Sequence, residues 1–265
     1  MKKLLSLLLI LLLALSWVGF AEGDAPEPEQ YECGDYTYAL LEDGSAEIMK
    51  YNGSALVLEI PAELDGHAVS SIGDEAFIFA GLTSITLPDS LTAIGDLAFS
   101  HCSGLTSVTL PSGLTDVGAN PFGKCDRLTE IIITPDHPAL ATIDGALYSK
   151  ADKRLICYPN GLISDTCTVP EGIKIIGDCA FSGCSVLTSV TLPDSLTSIG
   201  DKAFSDCSSL TAVSIPDNLT SISRNAFDGC DRLTLTVPRD SYAKEYCDEH
   251  GLRYVYPDGN DWLND

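Results

Sequence analysis

Cysteine is the residue type in this sequence with the most chemical potential. The chain contains ten cysteines, and such a number in a secreted protein can indicate a framework of disulfides. Five of them recur at one position of an internal repeat: Cys102, Cys125, Cys184, Cys207 and Cys230. Stacked copies would place neighbouring sulfur atoms about 5 Å apart, but with all side chains pointing the same way into the interior. The spacing therefore predicts a row of small buried thiols.

The other cysteines give less information. Cys157 and Cys167 flank the end of an irregular segment, and a disulfide between them stays open as a second hypothesis. Cys33, Cys179 and Cys247 have no assigned place. No spacing resembles a zinc site built from four cysteines, or from two cysteines and two histidines.

Histidines and acidic residues give no catalytic pattern. The sequence lacks HExxH, GxSxG, Walker and GxGxxG motifs, and its histidines lie in unrelated contexts: His67, His101, His137 and His250. One aspartate recurs per repeat, at Asp74, Asp96, Asp178 and Asp201. A row of carboxylates could bind calcium, but aspartate is also a favoured helix N-cap, which is the simpler interpretation. The sequence thus predicts no catalytic residue, no metal and no cofactor.

The elements that must position these residues recur every 23 residues. The clearest copies are PDSLTAIGDLAFSHCSGLTSVTL, PEGIKIIGDCAFSGCSVLTSVTL and PDSLTSIGDKAFSDCSSLTAVSI, which begin at Pro88, Pro170 and Pro193. A fixed period of this length is typical of a solenoid, in which each unit buries its apolar face only against its neighbours. With looser copies included, about six units span residues 61–238.

Each part of the repeat predicts an element. LTSVTL has the spacing of a short strand with one buried face, which the next proline ends. SLTSIG predicts a second inward-facing stretch, followed by a glycine that allows a turn. The DKAFSDC segment predicts one helical turn that its first aspartate caps. The phenylalanine of this turn is predicted to anchor the core.

Units of the form LPxSLTxIGxxAFxxCxxLTxVxL resemble the BspA-type, treponemal-like leucine-rich repeats, over residues 31–256. The resemblance implies a curved right-handed solenoid with a parallel β-sheet on its concave side and short helical turns on its convex side. It also implies a bacterial or protozoan protein that is secreted or surface-bound, often with a role in adhesion. Pro121, and Ser223-Arg224 in place of Gly-Asp, depart from the pattern.

The flanking segments resemble the caps of such proteins. Residues 31–60 predict a β-hairpin cap with Asp-Gly and Asn-Gly turns, and residues 239–256 predict a short helical cap whose Ala, Tyr and Cys residues close the core. Caps with a polar outer face are required because a bare end would expose apolar rungs.

An insert at residues 134–170 interrupts the repeat. ALYS and RLICYP alternate around a polar turn, which is a hairpin signal. The insert has two interpretations: a specialised stacked rung, or a lateral projection that makes its own contacts. Lys150, Lys153 and Arg154 form the one basic cluster of an acidic chain, so the second interpretation makes them candidate partner contacts.

The N-terminus predicts secretion. Residues 1–21 combine two lysines, an uncharged apolar run, and Gly19 and Ala21 before a cleavage point, as in a signal peptide; an uncleaved membrane anchor is the alternative. An acidic, Pro-rich linker at 22–30 follows, and residues 257–265 form an acidic tail. The formal charge of −23 disfavours binding to nucleic acid or to anionic membranes.

The outward positions of the predicted concave sheet are the other candidate partner contacts. They are Ser84, Thr86, Ser107, Thr109, Glu130, Ile132, Ser189, Thr191, Ala212 and Ser214. This surface is rich in hydroxyls, nearly uncharged and without the Trp, Tyr or Arg that form most hot spots. The sequence therefore favours a non-enzymatic module for weak, multivalent adhesion to matrix or bacterial surface proteins. A passive spacer protein of the cell envelope is the alternative.

Overall fold

Residues 28–257 form a β-solenoid of about nine turns in this computed structural model, with mostly parallel sheets and one short helix. The predicted signal segment 1–21, most of the linker 22–30 and nearly all of the tail 257–265 lie outside the described residues. Within 28–257 no helix has the length and apolarity needed to cross a membrane.

Two stacks of strands alternate along the chain. The first stack contains β4 Val57–Glu59, β7 Ser84–Thr86, β9 Ser107–Thr109, β11 Glu130–Ile132, β15 Thr166–Thr168, β17 Ser189–Thr191, β19 Ala212–Ser214, β21 Thr234–Thr236 and β22 Tyr254–Val255. The second contains β3 Ala46–Tyr51, β6 His67–Ile72, β8 Ala93–Ile94, β10 Asp116–Val117, β14 Arg154–Cys157, β16 Ile175–Ile176, β18 Ser198–Ile199 and β20 Ser221–Ile222. Five further strands are β1 Gln30–Cys33, β2 Tyr36–Leu40, β5 Glu63–Leu64, β12 Leu140–Ile143 and β13 Ala146–Ser149. The last two belong to the insert.

The predicted LTSVTL strand is confirmed. In β7, β9, β17 and β19 the middle residue is buried while its neighbours face outward or lie at the surface. The register is constant, since Ser189 pairs with Ala212 and Val190 with Val213 in a parallel ladder. Equivalent side chains of successive rungs therefore form straight rows.

The predicted helical turn is wrong. The GDxAFxxC segments form turns, in which the residue after the aspartate and the residue before the cysteine commonly adopt the left-handed conformation, as Leu97 (φ 53°) and His101 (φ 62°) do. The amide groups on this side alternate. Leu97 N–H donates to Ala119 O of the next rung at 3.0 Å and Phe99 N–H to Pro121 O at 2.7 Å, whereas Ser100 N–H donates within the turn to Leu97 O at 2.8 Å. We call this the turn side.

The phenylalanines are core anchors, as the repeat predicts. Phe99, Phe181 and Phe204 are fully buried. Their rings stack along the solenoid axis, with centroids 4.9 Å apart between Phe181 and Phe204 and 5.2 Å between Phe204 and Phe227. This aromatic column runs beside the thiol row through the interior.

The aspartates do not cap helices, because no helix follows them. Asp178 Oδ1 instead accepts a hydrogen bond at 2.7 Å from the backbone N–H of Asp201, the equivalent residue of the next rung. Asp74 binds Asp96 N–H in the same way. The preceding glycine has a different role from the predicted turn, since a Cβ on Gly200 would lie about 2.2 Å from Asp178 Oδ1. Glycine leaves room for the aspartate of the rung before it.

Asp178→Ala should lower the free energy of unfolding by about 1–2 kcal/mol, because a carboxylate that satisfies a backbone N–H is lost. Chemical denaturation measures the change. Asp217 is exposed and makes no side-chain hydrogen bond in the described residues, so Asp217→Ala is the matched control and should stay within about 0.5 kcal/mol of wild type. Equal effects of the two changes would contradict the inter-rung role.

The buried thiol row is confirmed. All ten cysteines are free, and each repeat thiol donates to the phenylalanine or tyrosine carbonyl of the preceding rung, as Cys207 Sγ does to Phe181 O at 3.1 Å. Cys157 and Cys167 are also free. They pack into opposite halves of the core, which explains why the possible bridge does not form.

Thiol labelling checks this arrangement. Burial raises the pKa of Cys102 to about 12, so its thiolate is scarce at pH 8 as well as inaccessible. We expect iodoacetamide to modify the half-buried Cys33 and Cys179 of the native protein first, and the five repeat thiols only after unfolding. Mass spectrometry of native protein that shows early labelling of Cys102 or Cys207 would contradict the row.

Both caps form, with one difference at the N-terminus. Strands β1 and β2 make a hairpin, and a turn at Asp43-Gly44 leads from β2 to the antiparallel β3. The predicted Asn52-Gly53 hairpin is wrong, because β3 pairs with β6 and β4 with β7. At the other end, helix α1 Tyr242–His250 is capped by Ser241, and its Ala243, Tyr246 and Cys247 cover the last rungs.

Candidate functional site

The first stack of strands presents two rows of small polar side chains, which we call the hydroxyl face. Its members are the candidate residues Ser84, Thr86, Ser107, Thr109, Ser189, Thr191 and Ser214. Thr86, Thr109 and Thr191 are exposed, whereas Ser107 and Ser189 are half-buried. Within residues 28–257 none of these hydroxyls makes a side-chain hydrogen bond that competes with a ligand.

Hydroxyls at other repeat positions behave differently. Thr188 Oγ1 donates to Asp165 O at 3.0 Å, and Thr211 Oγ1 donates to Thr188 O at 3.1 Å. Directly before β18, Thr197 Oγ1 likewise donates to Lys174 O at 3.1 Å. These threonines tie each rung to the preceding one, so their hydroxyls are used by the fold. The hydroxyls of the hydroxyl face, in contrast, remain available.

The two rows are interrupted near the middle of the solenoid. In β11 the outward positions carry Glu130 and the exposed Ile132, and Ala212 takes the place of a serine in β19. The sheet is divided at the same place, since β11 does not pair with β15, and it is divided a second time between β7 and β9. The hydroxyl face therefore consists of an N-terminal and a C-terminal part on either side of the insert.

The insert is a stacked layer of the solenoid and not a free projection. Strands β12, β13 and β14 form an antiparallel sheet that continues into the parallel β16. The predicted hairpin of β13 and β14 is confirmed, and β12 adds a second hairpin at Asp144-Gly145. Leu147 and Ile156 pack into the N-terminal core while Tyr148 and Leu155 pack into the C-terminal core. The insert thus joins the two halves.

The basic cluster is mostly occupied in holding this layer. Arg154 Nη2 donates to Val117 O at 3.2 Å and lies 3.6 Å from Asp152. Lys150 Nζ donates to His137 O at 2.6 Å. Lys153 is exposed and has no side-chain partner in the described chain. The three basic residues are close in sequence, but only Lys153 presents a free charge.

His137 has a structural role that its sequence context did not reveal. Its ring is fully buried; Nδ1 accepts from the backbone N–H groups of Ala139 and Leu140, and Nε2 donates to Pro111 O at 3.1 Å. These bonds place a proton on Nε2 and attach the start of the insert to the preceding rung.

A protein-family model matches this chain. The model describes a BspA type leucine rich repeat region, and it matches in six copies over residues 70–154 and 156–244. No curated protein matches the chain.

Solved structures with the same fold come from several bacteria. A leucine rich cell surface protein from Faecalibacterium prausnitzii is 23% identical, with a TM-score of 0.53, over 91% of this chain and 98% of that one. A leucine-rich repeat protein from Eubacterium ventriosum is 18% identical, with a TM-score of 0.61, over 80% and 73%. The pneumococcal vaccine antigen PcpA is 17% identical, with a TM-score of 0.54, over 86% and 85%. At these identities the likeness shows a shared fold.

Proposed function

We propose, since this chain belongs to the BspA-type leucine-rich repeat family, that it is a secreted, non-enzymatic module that binds protein partners through its hydroxyl face. The repeats of this family typically mediate protein binding. The similar protein from Faecalibacterium prausnitzii is described as a cell surface protein, which supports the proposed location outside the cell.

The observation that carries the proposal is that some repeat hydroxyls bond to the fold itself, whereas those of the hydroxyl face do not. The hydroxyls of Thr188, Thr197 and Thr211 donate hydrogen bonds to carbonyls of neighbouring rungs. The hydroxyls of Thr86 and Thr191 are exposed and are available to bind an external group. A row of such groups at constant spacing makes many equal contacts, none of them strong, because large anchor side chains are missing from it. The expected interaction is individually weak and gains strength when several copies engage together.

The insert contributes less than its charge suggests. Lys150 and Arg154 are committed to backbone carbonyls, so Lys153 is the basic residue we assign to partner contact. A positive group on a strongly acidic chain would mainly guide the approach of an acidic partner and fix its orientation.

The passive spacer remains the second candidate function, supported by the regularity of the solenoid and by the absence of aromatic anchors on the hydroxyl face. Binding of the full chain to immobilised collagen, laminin and fibronectin, and to whole bacterial cells, separates the two. We expect saturable binding to at least one of these surfaces. Binding no greater than that of an acidic polymer such as polyglutamate would contradict the proposal and favour the spacer.

A further inference from the structure

A second polar surface lies on the turn side, where the insert rung is too short. In a regular copy four residues separate the buried isoleucine from the phenylalanine, as between Ile94 and Phe99, but only two separate Leu155 from Tyr158. The Tyr158 ring takes the place of a phenylalanine, tilted by 33° against the Phe181 ring with the centroids 5.2 Å apart. The corner residues that would precede Tyr158 are missing, and a gap is left between the rungs of Phe122 and Phe181.

Two asparagines bridge this gap. Asn160 accepts from the Lys124 N–H at 2.8 Å and donates to Ser182 O at 3.0 Å, so its carboxamide takes the place of a peptide group in the inter-rung ladder. Asn120 Nδ2 donates to Cys179 O at 2.5 Å. In the rung of Phe122, Ala119 and Asn120 stand where an aspartate and a variable residue normally stand. These departures from the repeat follow from the corner residues that are missing before Tyr158.

The gap opens into a cavity of about 390 Å³, which we call the turn groove. Its floor is made of small residues from one repeat position: Ser100, Gly123, Ser182 and Ser205. Its walls are the two rows of side chains that flank this position, with Leu97, Asn120, Cys179 and Lys202 on one side and His101, Lys124 and Asp206 on the other. The groove therefore runs along the solenoid axis.

Donors and acceptors are balanced along the groove. Lys124 Nζ and Asp206 Oδ2 form an ion pair at 2.7 Å, for which the lysine side chain passes Gly183 in the rung of Phe181 and reaches the rung of Phe204. Lys202 makes no ion pair within residues 28–257, and Asn120 Oδ1 is buried there without a hydrogen-bond partner. A buried acceptor without a donor is costly. A ligand with its own hydroxyl groups would supply both donors and acceptors.

One end of the groove carries an exposed aromatic ring. Phe79 occupies the rung before His101 in the same wall, and the two rings lie 4.3 Å apart. The Phe79 side chain is 69% exposed and its backbone is left-handed, with φ 58°, which is unusual for a bulky residue. A ring held in this way offers a flat apolar surface at the entrance of a polar groove.

A peptide does not fit these features well. The main-chain groups along the walls are used between rungs, as in His101 N–H to Gly123 O and Gly183 N–H to Ser205 O, both at 2.8 Å. An extended peptide would therefore find no sheet edge to pair with. It would also advance by about 3.4 Å per residue, which does not match aromatic rungs spaced 4.9 to 5.6 Å apart. A linear chain of pyranose rings advances by roughly one such spacing per ring.

We propose that the turn groove binds a short neutral oligosaccharide, with one sugar ring against Phe79 and the following hydroxyls against the Lys124–Asp206 pair and Lys202. Neutral sugars present apolar C–H faces for the ring and hydroxyls for the polar walls. The strong negative charge of the chain disfavours an anionic ligand in the same place.

Calorimetric titration of the full chain with maltopentaose, cellopentaose, chitopentaose and xylopentaose tests the proposal, because the rungs from Phe79 to Asp206 number at least five. We expect saturable binding of at least one pentasaccharide below ~10 mM. Phe79→Ala, Asp206→Asn and Lys202→Ala should each weaken this binding at least about fivefold without lowering the melting temperature, since all three side chains are exposed. The matched controls Ile163→Ala and Asp194→Asn remove an exposed apolar group and an exposed carboxylate elsewhere, and should bind as wild type does.

Three outcomes would overturn the proposal. The first is no saturable binding of any of the four sugars. The second is binding that survives in a protein carrying Phe79→Ala, Asp206→Asn and Lys202→Ala together, which would place the sugar on another surface. The third is equal competition by a neutral tetrapeptide such as Gly-Ser-Thr-Ser, which would make the groove a peptide site.

Discussion

Replacing Phe204 by alanine should lower the free energy of unfolding by about 3–5 kcal/mol. The side chain is fully buried and its ring lies between those of Phe181 and Phe227, nearly parallel to both. The substitution removes apolar area, leaves a cavity between the two flanking rings, and breaks two ring contacts worth about 0.5–1.5 kcal/mol each. Urea denaturation followed by circular dichroism measures the effect.

Phe79→Ala is the matched control for this prediction. It makes the same chemical change at a neighbouring repeat position, but the Phe79 ring is largely exposed, so its loss should change stability by less than about 1 kcal/mol. Similar destabilisation by both substitutions would mean that the phase of the repeat, which places one ring inside and the other outside, is incorrect.

Gly200→Ala should cost about 3 kcal/mol, at the upper end of what overpacking costs. A Cβ there would lie about 2.2 Å from Asp178 Oδ1 and 2.7 Å from the Asp178 backbone nitrogen. The nitrogen cannot move without separating two rungs, so a side-chain rotation of Asp178 cannot relieve the contact. Thermal and chemical denaturation should both show the loss.

Gly113→Ala is the matched control, because it adds the same methyl group to a glycine where no close contact results. Gly113 has ordinary backbone angles, and an added Cβ would meet its nearest atoms at 3.6 Å, which is normal van der Waals contact. We therefore expect a change within about 1 kcal/mol. A Gly200→Ala protein as stable as Gly113→Ala would contradict the role of the aspartate ladder.

The periodic part of the fold could be predicted from the sequence because each rung repeats the same spacing of buried apolar residues. The spacing of Leu105, Val108 and Leu110 defines a strand with one buried face, and the structure places all three in the core. The thiol row could be predicted for the same reason. A residue that recurs in every copy must meet its own equivalents, so one correct assignment fixes all the others.

Interactions between rungs could not be predicted in this way. The role of Asp178 depends on the N–H of Asp201, which lies in the next copy of the repeat, whereas the capping interpretation considered only its own segment. The restriction at Gly200 likewise comes from its neighbour. The turn side was assigned a helix because its residue types suit a helical turn, although left-handed residues such as Leu97 and Lys202 direct its hydrogen bonds to the next rung.

The candidate surfaces were predicted unequally. Outward positions such as Thr86 and Thr191 follow from strand alternation, and the structure places them on the surface as expected; their part in binding stays a prediction. The basic cluster was selected by charge alone, and charge does not show that Arg154 reaches Val117 O. The repeat pattern did not predict the turn groove, because the groove arises from residues that are missing in the insert. Its one trace in the sequence is the unusual Asn120-Pro121 pair, which departs from the repeat beside the groove.

The assignment of the hydroxyl face is tested most directly by two triple variants measured side by side. The first, Thr86→Lys with Thr109→Lys and Thr191→Lys, places long charged side chains on the face. The second, Ser103→Lys with Ser112→Lys and Ser208→Lys, adds the same charge at exposed serines off the face. Surface plasmon resonance against the protein that binds the wild-type chain should show at least about a tenfold loss of affinity for the first variant and wild-type affinity for the second. Equal affinities of the two variants would contradict the account.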